Sequence, residues 1–330
     1  MNEALTITSK SIPGQQALYD GVFPFVWHCE SPQASLKDLT EWIGSRRDEL
    51  TRQSAESGAV LFRRFPLSTA EDLDKFIAAF DYVNFRYKDS LSNAVRVNRT
   101  ERVFTANEAP PEAEINLHHE MAQTPIYPSR LFFFCEAAPD EGGATPLVRS
   151  DRLWERITSE RPDFARDCEA KGLQYSHVMP AESDLKSSMG RTWQSTFGAE
   201  NRDQAEKRLA RLEYTWQWHE DGSLQVTTPV LPAVRNLGSG RKSFFNQLLA
   251  AFLGWKDSRN RPEDAIRFGD GSRLDRDAVM HAAQIADELT FEMNWQLGDA
   301  VLLDNYVVMH GRRPFRGTRK VLASLVAAED

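Results

Sequence analysis

The stretch that decides the fold is LGDAVLLDNYVVMHGRRPFRGTRKVLASLVA, residues 297–327. It contains three short apolar runs, 297–303, 306–310 and 319–327, which are separated by a turn and by a loop rich in arginine and glycine. Runs of this length, bounded by turn residues, are typical of strands in antiparallel sheets. This stretch therefore predicts a β-rich core.

Further strands and helices are predicted upstream. LFFFC (131–135) is typical of a buried strand, EGGATPL (141–147) of a turn that leads into a strand, and GAVLFRRF (58–65) of another short strand. Ser35 and Thr69 are suitable N-caps for two helices. The ranges with a helical spacing or composition are 36–57, 69–80, 151–172 and 202–213.

Together these elements predict a mainly β fold with flanking helices, in the form of an antiparallel barrel or sandwich with helical insertions. No repeat or flexible linker divides the chain, so we expect one domain over 1–330. Residues 1–56 would be an N-terminal helical segment. Residues 173–200 have the weak periodicity of a loop or lid, and we expect a lid-like insertion over about 173–235.

The composition excludes several classes of protein. Of 330 residues, 41% are hydrophobic and 27% are charged, which is ordinary for a globular protein and unlike a disordered or collagen-like chain. A net charge of −8 argues against a binder of nucleic acid or anionic membranes. Three scattered cysteines (Cys29, Cys135, Cys168) form no disulfide framework. Without a signal peptide or an apolar run of roughly 18 residues, we expect a cytoplasmic protein.

Candidate metal ligands occur in NLHHEMAQ (116–123). His118 and Glu120 are two residues apart, so on an extended chain their side chains point to the same face. A second histidine from a distant strand would complete the two-histidine, one-carboxylate triad of non-haem Fe(II) sites. His310, at the end of the predicted strand YVVMH, is the candidate for that second histidine. An isolated HxE pair is weak evidence, so its surroundings must supply the specificity.

The other histidines have simpler interpretations. By strand alternation, His119 faces away from the proposed ligands and is expected to pack or to form hydrogen bonds elsewhere. The remaining four have no acidic residue at a ligand spacing, apart from Glu220 beside one of them, and we assign them ordinary structural roles: His28, His177, His219 and His281.

Two further blocks accompany the HxE pair: GGATP (142–146) and HGRRPFRGTRKVL (310–322). In this order the three blocks resemble the taurine dioxygenase and clavaminate synthase-like family of Fe(II)- and 2-oxoglutarate-dependent oxygenases. More narrowly, NEAPPEAEINLHHEMAQ (107–123), FFNQ (244–247) and LGDAVLLDNYVVMHGRRPF (297–315) are similar to the branch of syringomycin-type biosynthetic hydroxylases. The resemblance extends over about 57–325 and implies a double-stranded β-helix core, the jelly-roll of cupins, with helical insertions.

The resemblance also implies site residues. His118, Glu120 and His310 would hold the catalytic iron, and Thr145 of the GGxT motif would hydrogen-bond 2-oxoglutarate. Arg319 would pair with the distal carboxylate of 2-oxoglutarate, since a planar guanidinium suits a buried carboxylate better than a lysine does. Lys320 or a nearby arginine is the alternative for that role, although strand alternation places Lys320 on the opposite face.

Five residues near these blocks are candidates for the substrate side of the site: Phe104, Asn107, Arg191, Asn246 and Arg313. Arg191 lies in SMGRTWQSTF (188–197), which resembles a mobile substrate-side segment of the family, and it would meet a substrate carboxylate. A packed surface loop is an equally good interpretation of that segment. Asn246 would face the pocket or satisfy buried backbone groups, and Arg312 and Arg313 would bind a substrate carboxylate or serve the structure.

The function implied is a dioxygenase that uses Fe(II), 2-oxoglutarate and O₂ to hydroxylate an unactivated C–H bond, with release of succinate and CO₂. The substrate would be a small molecule, an amino acid (free or carrier-bound) or another small carboxylate. Two alternatives remain: a cupin-like iron enzyme without a co-substrate, and a non-catalytic binding protein with the same barrel. The cupin-like alternative gives Thr145 and Arg319 no task, and the intact set of His118, Glu120 and His310 weakens the binding-protein alternative.

Overall fold

A computed structural model describes residues 5–18 and 21–327. An eight-stranded sheet and a four-stranded sheet face each other across an apolar core, and helices cover the outer face of each. Within the described residues the strands are β1 Ile7–Ser9, β2 Gln16–Leu18, β3 Gly21–Phe23, β4 Phe25–Cys29, β5 Ala59–Arg63, β6 Val83–Asn84, β7 Phe104–Thr105, β8 Ile115–His118, β9 Arg130–Ala137, β10 Glu141–Gly142, β11 Thr145–Arg149, β12 Leu173–Met179, β13 Thr215–Trp218, β14 Leu224–Thr227, β15 Arg235–Gly238, β16 Arg241–Ser243, β17 Ile266–Phe268, β18 Phe291–Met293, β19 Ala300–Asp304, β20 Val308–Arg312, β21 Phe315–Arg316 and β22 Lys320–Ala327. The helices are α1 Leu36–Gly44, α2 Arg47–Ser57, α3 Ala70–Ala78, α4 Ser150–Glu160, α5 Pro162–Lys171, α6 Trp193–Phe197, α7 Arg202–Arg211, α8 Leu248–Gly254, α9 Pro262–Ala265 and α10 Arg276–Glu288.

Strand β9 lies inside the first sheet, whose order is β1-β4-β5-β19-β9-β22-β6, with β7 also paired to β22. The run LFFFC falls within β9, and all five of its side chains are buried. Phe132 and Phe134 pack towards the N-terminal helices, whereas Leu131 and Phe133 pack towards the second sheet. A strand that is covered on both faces needs apolar residues at successive positions, which explains the unbroken run.

Helices α1 to α3 cover the outer face of the first sheet. The predicted N-caps are confirmed: Ser35 and Thr69 each accept a hydrogen bond from the third residue of their helix, and Asp38 and Asp72 complete the two capping boxes. The predicted helix over 36–57 is divided into α1 and α2. The buried side chains of α1 and α2 form one apolar cluster with those of β5 and β9, so both helices pack on the outer face of the first sheet.

The second sheet has the order β18-β11-β20-β8, with antiparallel neighbours. Its inner face contributes Leu147 and Val308 to the core that it shares with Leu131 and Val301 of the first sheet. Its outer face packs against α4, α5, α8 and α10. This is a jelly-roll core with helical insertions, as predicted, and the space between its sheets can hold a site.

Residues 173–200 contain regular structure that the sequence analysis did not predict. Residues 173–179 form β12, in a third sheet of order β13-β14-β12-β17, and α6 follows. Burial alternates along β12, with Leu173, Tyr175, His177 and Met179 inside. A buried histidine in the apolar register concealed this two-residue period, so the prediction of a loop is wrong for β12 and α6. A lid role for 173–235 stays a prediction.

The predicted helical range 151–172 forms two helices, because α4 ends at Glu160 and Pro162 begins α5. The predicted helix over 202–213 corresponds to α7. Among the helices of the described ranges, none combines the length and the apolar composition needed to cross a membrane.

The buried histidine of β12 predicts an acid-sensitive fold. His177 is 6% exposed, and burial lowers its pKa to about 4 from the ordinary value of 6.5. Between pH 6.5 and pH 4 the His177 imidazole is protonated in the unfolded chain but neutral in the native chain. The stabilising contribution of neutral His177 is therefore complete above pH 6.5 and is lost as the pH falls towards 4. Between pH 7.5 and pH 5 we expect this group to cost about 2 kcal/mol of unfolding free energy. Urea unfolding of wild type and His177→Leu at both pH values measures it, and an equal pH dependence in the two proteins would contradict it.

Candidate metal and co-substrate site

Two adjacent strands bring His118 and His310 together. These residues are direct partners across the β8–β20 ladder, and their ring centroids are 4.4 Å apart. Strand β8 ends at His118, and at Glu120 the chain enters a turn, where Glu120 Oε2 lies 3.4 Å from Nε2 of His310. One ligand atom from each of the three residues lies within 4.8 Å of the others. The three side chains can therefore share one ion.

Burial and hydrogen bonding set the charges of this cluster. Nδ1 of His118 donates to the carbonyl oxygen of Asn116 at 2.8 Å, which leaves Nε2 with its electron pair free. Burial and the neighbouring His310 lower the pKa of His118 to about 4, so its ring is neutral at pH 7. Burial alone would raise the pKa of Glu120, but Arg96 and His310 outweigh it and hold that pKa well below its ordinary value. Two imidazoles and an ionised carboxylate form a donor set that fits Fe(II).

His119 faces away from this cluster, as strand alternation predicts. Its ring is fully buried, packs on Phe245 at 4.8 Å between centroids, and donates through Nδ1 to the carbonyl oxygen of Asn305 at 2.6 Å. The Asn305 side chain also accepts from the backbone N–H of Glu120 at 2.8 Å and donates to its carbonyl oxygen at 3.0 Å. Asn305 thus ties the HHE segment to the turn between β19 and β20. The sequence analysis did not single it out, because its role depends on this distant contact.

Asn305→Ala should loosen both the fold and the metal segment. The Asn305 side chain makes three hydrogen bonds in a fully buried position, including one to Pro128, and their loss should cost about 2–4 kcal/mol of unfolding free energy. Affinity for Mn(II) should fall about tenfold, since the Asn305 side chain binds both the N–H and the carbonyl oxygen of Glu120 and so fixes its backbone. Urea unfolding and calorimetric Mn(II) titration measure the two effects, with the exposed Asn98→Ala as control. Wild-type values for both measurements would show that Asn305 does not hold the Glu120 backbone in place.

Thr145 and Arg319 line the same cavity as the three metal-ligand candidates. Arg319 donates through Nη2 to Oγ1 of Thr145 at 3.2 Å and through Nε to the carbonyl oxygen of Gly143 at 2.9 Å, and Trp295 Nε1 donates to the same threonine oxygen at 3.0 Å. A Cβ on Gly143 would lie 3.0 Å from the Arg319 side chain, so the glycine of GGxT makes room for the arginine. Lys320, the first residue of β22, is exposed and does not line this cavity.

The charge of Arg319 persists at neutral pH. Burial, with a contribution from neighbouring Arg312, lowers the pKa of Arg319 to about 10, which still leaves the guanidinium protonated. No carboxylate of the described residues forms an ion pair with it, and its partners are a carbonyl and a hydroxyl. A buried cation with neutral partners is suited to receive an anionic ligand.

Of the five substrate-side candidates, Asn107 lines the cavity. Arg191 does not: its three guanidinium nitrogens all donate to protein oxygens of Tyr87, Ser90, Ser92 and Ser195. Arg313 lies at the surface, where it forms ion pairs with Glu114, Asp287 and Glu292. The contacts of both arginines fit the structural alternative that the sequence analysis left open for each of them.

Asn246 and Phe104 also lie outside the cavity lining. Asn246 is fully buried, where its side chain donates to the carbonyl oxygen of Ala233 and accepts from the N–H of Leu248, so it satisfies backbone groups. Phe104 packs on the ring of Tyr87 with centroids 4.9 Å apart. Arg312, for which the sequence allows either a substrate or a structural role, lines the cavity. It donates to four carbonyl oxygens, those of Asn107, Ala109, Pro110 and Ala113.

Arg96 is a cavity residue that the sequence analysis missed. Its side chain is 7% exposed, and Nη2 lies 2.9 Å from Oε1 and 3.2 Å from Oε2 of Glu120. It comes from an irregular segment, so neither a motif nor a periodic pattern marks it. An arginine in a stretch of VRVNRT gives no signal of a contact made 24 residues further along the chain.

Comparison with known proteins agrees with this geometry. Residues 22–325 match the model of a family described as taurine catabolism dioxygenase TauD, TfdA family. A clavaminate synthase-like protein of Arabidopsis thaliana is 39% identical over 327 residues, which cover 97% of this chain and 98% of that protein. The dapdiamide synthesis protein DdaC of Enterobacter agglomerans is 27% identical over 287 residues, covering 82% of this chain and 83% of that protein.

Solved structures share the fold at low sequence identity. A taurine dioxygenase from Burkholderia xenovorans superposes with a TM-score of 0.52 at 14% identity, and covers 99% of this chain and 90% of its own. PvcB from Pseudomonas aeruginosa superposes with a TM-score of 0.54 at 11% identity, and covers 99% of this chain and 92% of its own. Both similarities extend over nearly the whole length, so the three chains share one overall fold.

Proposed function

Because the chain belongs to the taurine catabolism dioxygenase TauD, TfdA family, we propose that His118, Glu120 and His310 hold its Fe(II) and that Thr145 and Arg319 bind its 2-oxoglutarate. The enzyme is an Fe(II)- and 2-oxoglutarate-dependent dioxygenase. One observation supports the residue assignment: three candidate metal ligands line one cavity with a half-buried arginine that has no carboxylate partner among the described residues. A cupin-like iron enzyme without a co-substrate would have no use for that arginine.

The residues of the chain would bind, orient and exclude water. When bound, Fe(II) with 2-oxoglutarate and O₂ supplies the oxidising power that removes hydrogen from an unactivated C–H bond and yields succinate and CO₂. Arg319 fixes one end of the 2-oxoglutarate by charge, and Thr145, held by Trp295, offers its hydroxyl beside it. Phe133 and Val321 of the first sheet form an apolar side of the cavity that limits water near the metal.

We infer that the substrate is a small carboxylate, most simply an amino acid, and that the outcome is hydroxylation. Three largely buried guanidinium groups line the cavity, those of Arg96, Arg312 and Arg319, against the single buried carboxylate of Glu120. Fe(II) and the 2-oxoglutarate dianion cancel each other in charge, so a positive excess remains. A negatively charged substrate group would offset it. Amide side chains, including those of Asn107 and Asn116, offer polar contacts to the remainder of a small polar molecule.

A spectroscopic assay followed by a substrate screen tests this proposal. Anaerobic protein with Fe(II) and 2-oxoglutarate should develop the weak visible metal-to-ligand charge-transfer band, and neither component alone should produce it. Amino acids and small organic acids, each paired with its carboxamide, should then be screened for stimulated succinate formation. The absence of a band that depends on 2-oxoglutarate would overturn the co-substrate assignment, and stimulation by carboxamides alone would overturn the carboxylate assignment.

A further inference from the structure

Arg96 makes an asymmetric contact with a proposed metal ligand. Its Nη2 is nearer to Oε1 of Glu120, at 2.9 Å, than to Oε2, at 3.2 Å. Oε2 is the oxygen that faces the histidine pair, at 3.4 Å from Nε2 of His310. The two oxygens of this carboxylate therefore have unequal surroundings: Arg96 contacts both but lies nearer to Oε1, whereas Oε2 also faces the histidine pair.

The surroundings of Arg96 hold it in this position. The centre of its guanidinium lies 5.2 Å from the ring centroid of Tyr87 and 5.4 Å from that of Phe104, distances at which a cation is attracted to an aromatic face. Nε and Nη1 are buried and have no hydrogen-bond partner in the part of the chain that the structure describes. Its hydrogen bonds to protein are thus made through Nη2 to Glu120.

Glu120 is equally restrained from its backbone side. Asn305 binds both its N–H and its carbonyl oxygen, so the main rotational freedom left to Glu120 is in its side chain. Arg96 restricts that freedom by holding Oε1. Rotation that turned both oxygens towards the histidines would break a charge-assisted hydrogen bond in a buried site, which is costly.

We propose that Arg96 is a positioning residue that keeps Glu120 a one-oxygen ligand of the metal, through Oε2. This inference rests on the proposed function, because it takes Glu120 as a ligand. A carboxylate that chelates through both oxygens occupies two coordination positions, whereas the facial triad needs three positions open, two for 2-oxoglutarate and one for O₂. Arg96 thus protects the position that the co-substrate requires.

The test separates metal binding from 2-oxoglutarate binding in Arg96→Gln. Removal of the guanidinium frees Oε1 and removes a positive charge beside the ion, so Mn(II) should bind at least as tightly as in wild type. 2-Oxoglutarate must then compete with Oε1, and its affinity in the anaerobic Fe(II) protein should fall at least about tenfold, with a shifted charge-transfer band. Arg96→Lys, which keeps the charge without the planar fork, should lie between wild type and Arg96→Gln.

Arg191→Gln is the matched control. Arg191 is also buried and lies 4.7 Å from the Tyr87 ring, but it is hydrogen-bonded to other residues and not to Glu120. It should lower thermal stability without moving the charge-transfer band. A parallel loss of Mn(II) and 2-oxoglutarate affinity in Arg96→Gln, or wild-type values for both, would overturn the inference. Failure of the proposed function itself would be seen earlier, as wild-type protein that binds no metal at this site.

Discussion

Arg319→Ala should bind 2-oxoglutarate at least about a hundredfold more weakly than wild type, with little change in Fe(II) affinity. Truncation of one partner of a buried charge pair costs about 3–5 kcal/mol, because the other charge is left in a poorly hydrated cavity. Arg319 is well placed for this role: it lines the cavity, it touches Thr145, and no carboxylate of the described residues competes for it. Titration of the anaerobic Fe(II) charge-transfer band with 2-oxoglutarate measures the effect.

Two further variants make this measurement specific. Arg319→Lys should recover only part of the affinity, since an ammonium group cannot reproduce the two parallel hydrogen bonds of a guanidinium. Lys320→Ala should be mild, because Lys320 is exposed and its neighbours on either side, Arg319 and Val321, are the residues that line the cavity. A large loss in Lys320→Ala together with a small one in Arg319→Ala would transfer the role to the lysine. No effect in either would place the co-substrate elsewhere.

His310→Ala and Glu120→Ala should each abolish 2-oxoglutarate turnover. A three-ligand site that loses one ligand holds its metal poorly, and the open positions lose their arrangement. Succinate formation and Fe(II) titration measure the two consequences. Glu120→Ala should also lower the unfolding free energy by about 3–5 kcal/mol, because it leaves the guanidinium of Arg96 buried and unpaired.

His119→Asn is the control for this pair. An asparagine amide can replace the donor at Nδ1 that His119 offers to the carbonyl oxygen of Asn305, so the fold should be retained. Because His119 faces away from the metal cluster, its variant should keep both turnover and Fe(II) binding. If iron binding disappears in His119→Asn and persists in Glu120→Ala, the assignment of ligands within the HHE segment is wrong.

Local pattern was sufficient to predict much of the architecture. The continuous run of 131–135 predicted a strand covered on both faces, and the N-caps Ser35 and Thr69 predicted where two helices begin. Strand β12 was not predicted because His177 occupies one of its buried positions. A polar residue in the apolar register removes the alternation that identifies a strand. Periodicity indicates strands only when burial and polarity agree.

At the site, the sequence predicted the residues that lie on strands. It missed the residues that reach the site through contacts between distant segments. His118 and His310 lie on strands, where pairing across a ladder follows simple rules. Glu120 lies in the turn after β8, so its place beside them does not follow from strand alternation. Arg96 and Asn305 could not be predicted, since each acts through a contact between distant segments. The role of Arg191 stayed open for a related reason: an arginine in a predicted loop gives no sign that backbone carbonyls surround it.

The position of β9 in the first sheet has a consequence for the growing polypeptide on the ribosome. Its ladder partners are β19 and β22, which are translated long after it. Until they emerge, the phenylalanine-rich strand has two unpaired edges, and its inner face, which carries Leu131 and Phe133, is not yet covered by the second sheet. Unpaired edges and exposed apolar surface favour aggregation of nascent chains. The sheet can therefore close only after β22 has been synthesised, and the long sequence separation between β9 and its partners makes that closure slow. Residues 130–137 are the segment that a holding chaperone would need to protect during synthesis.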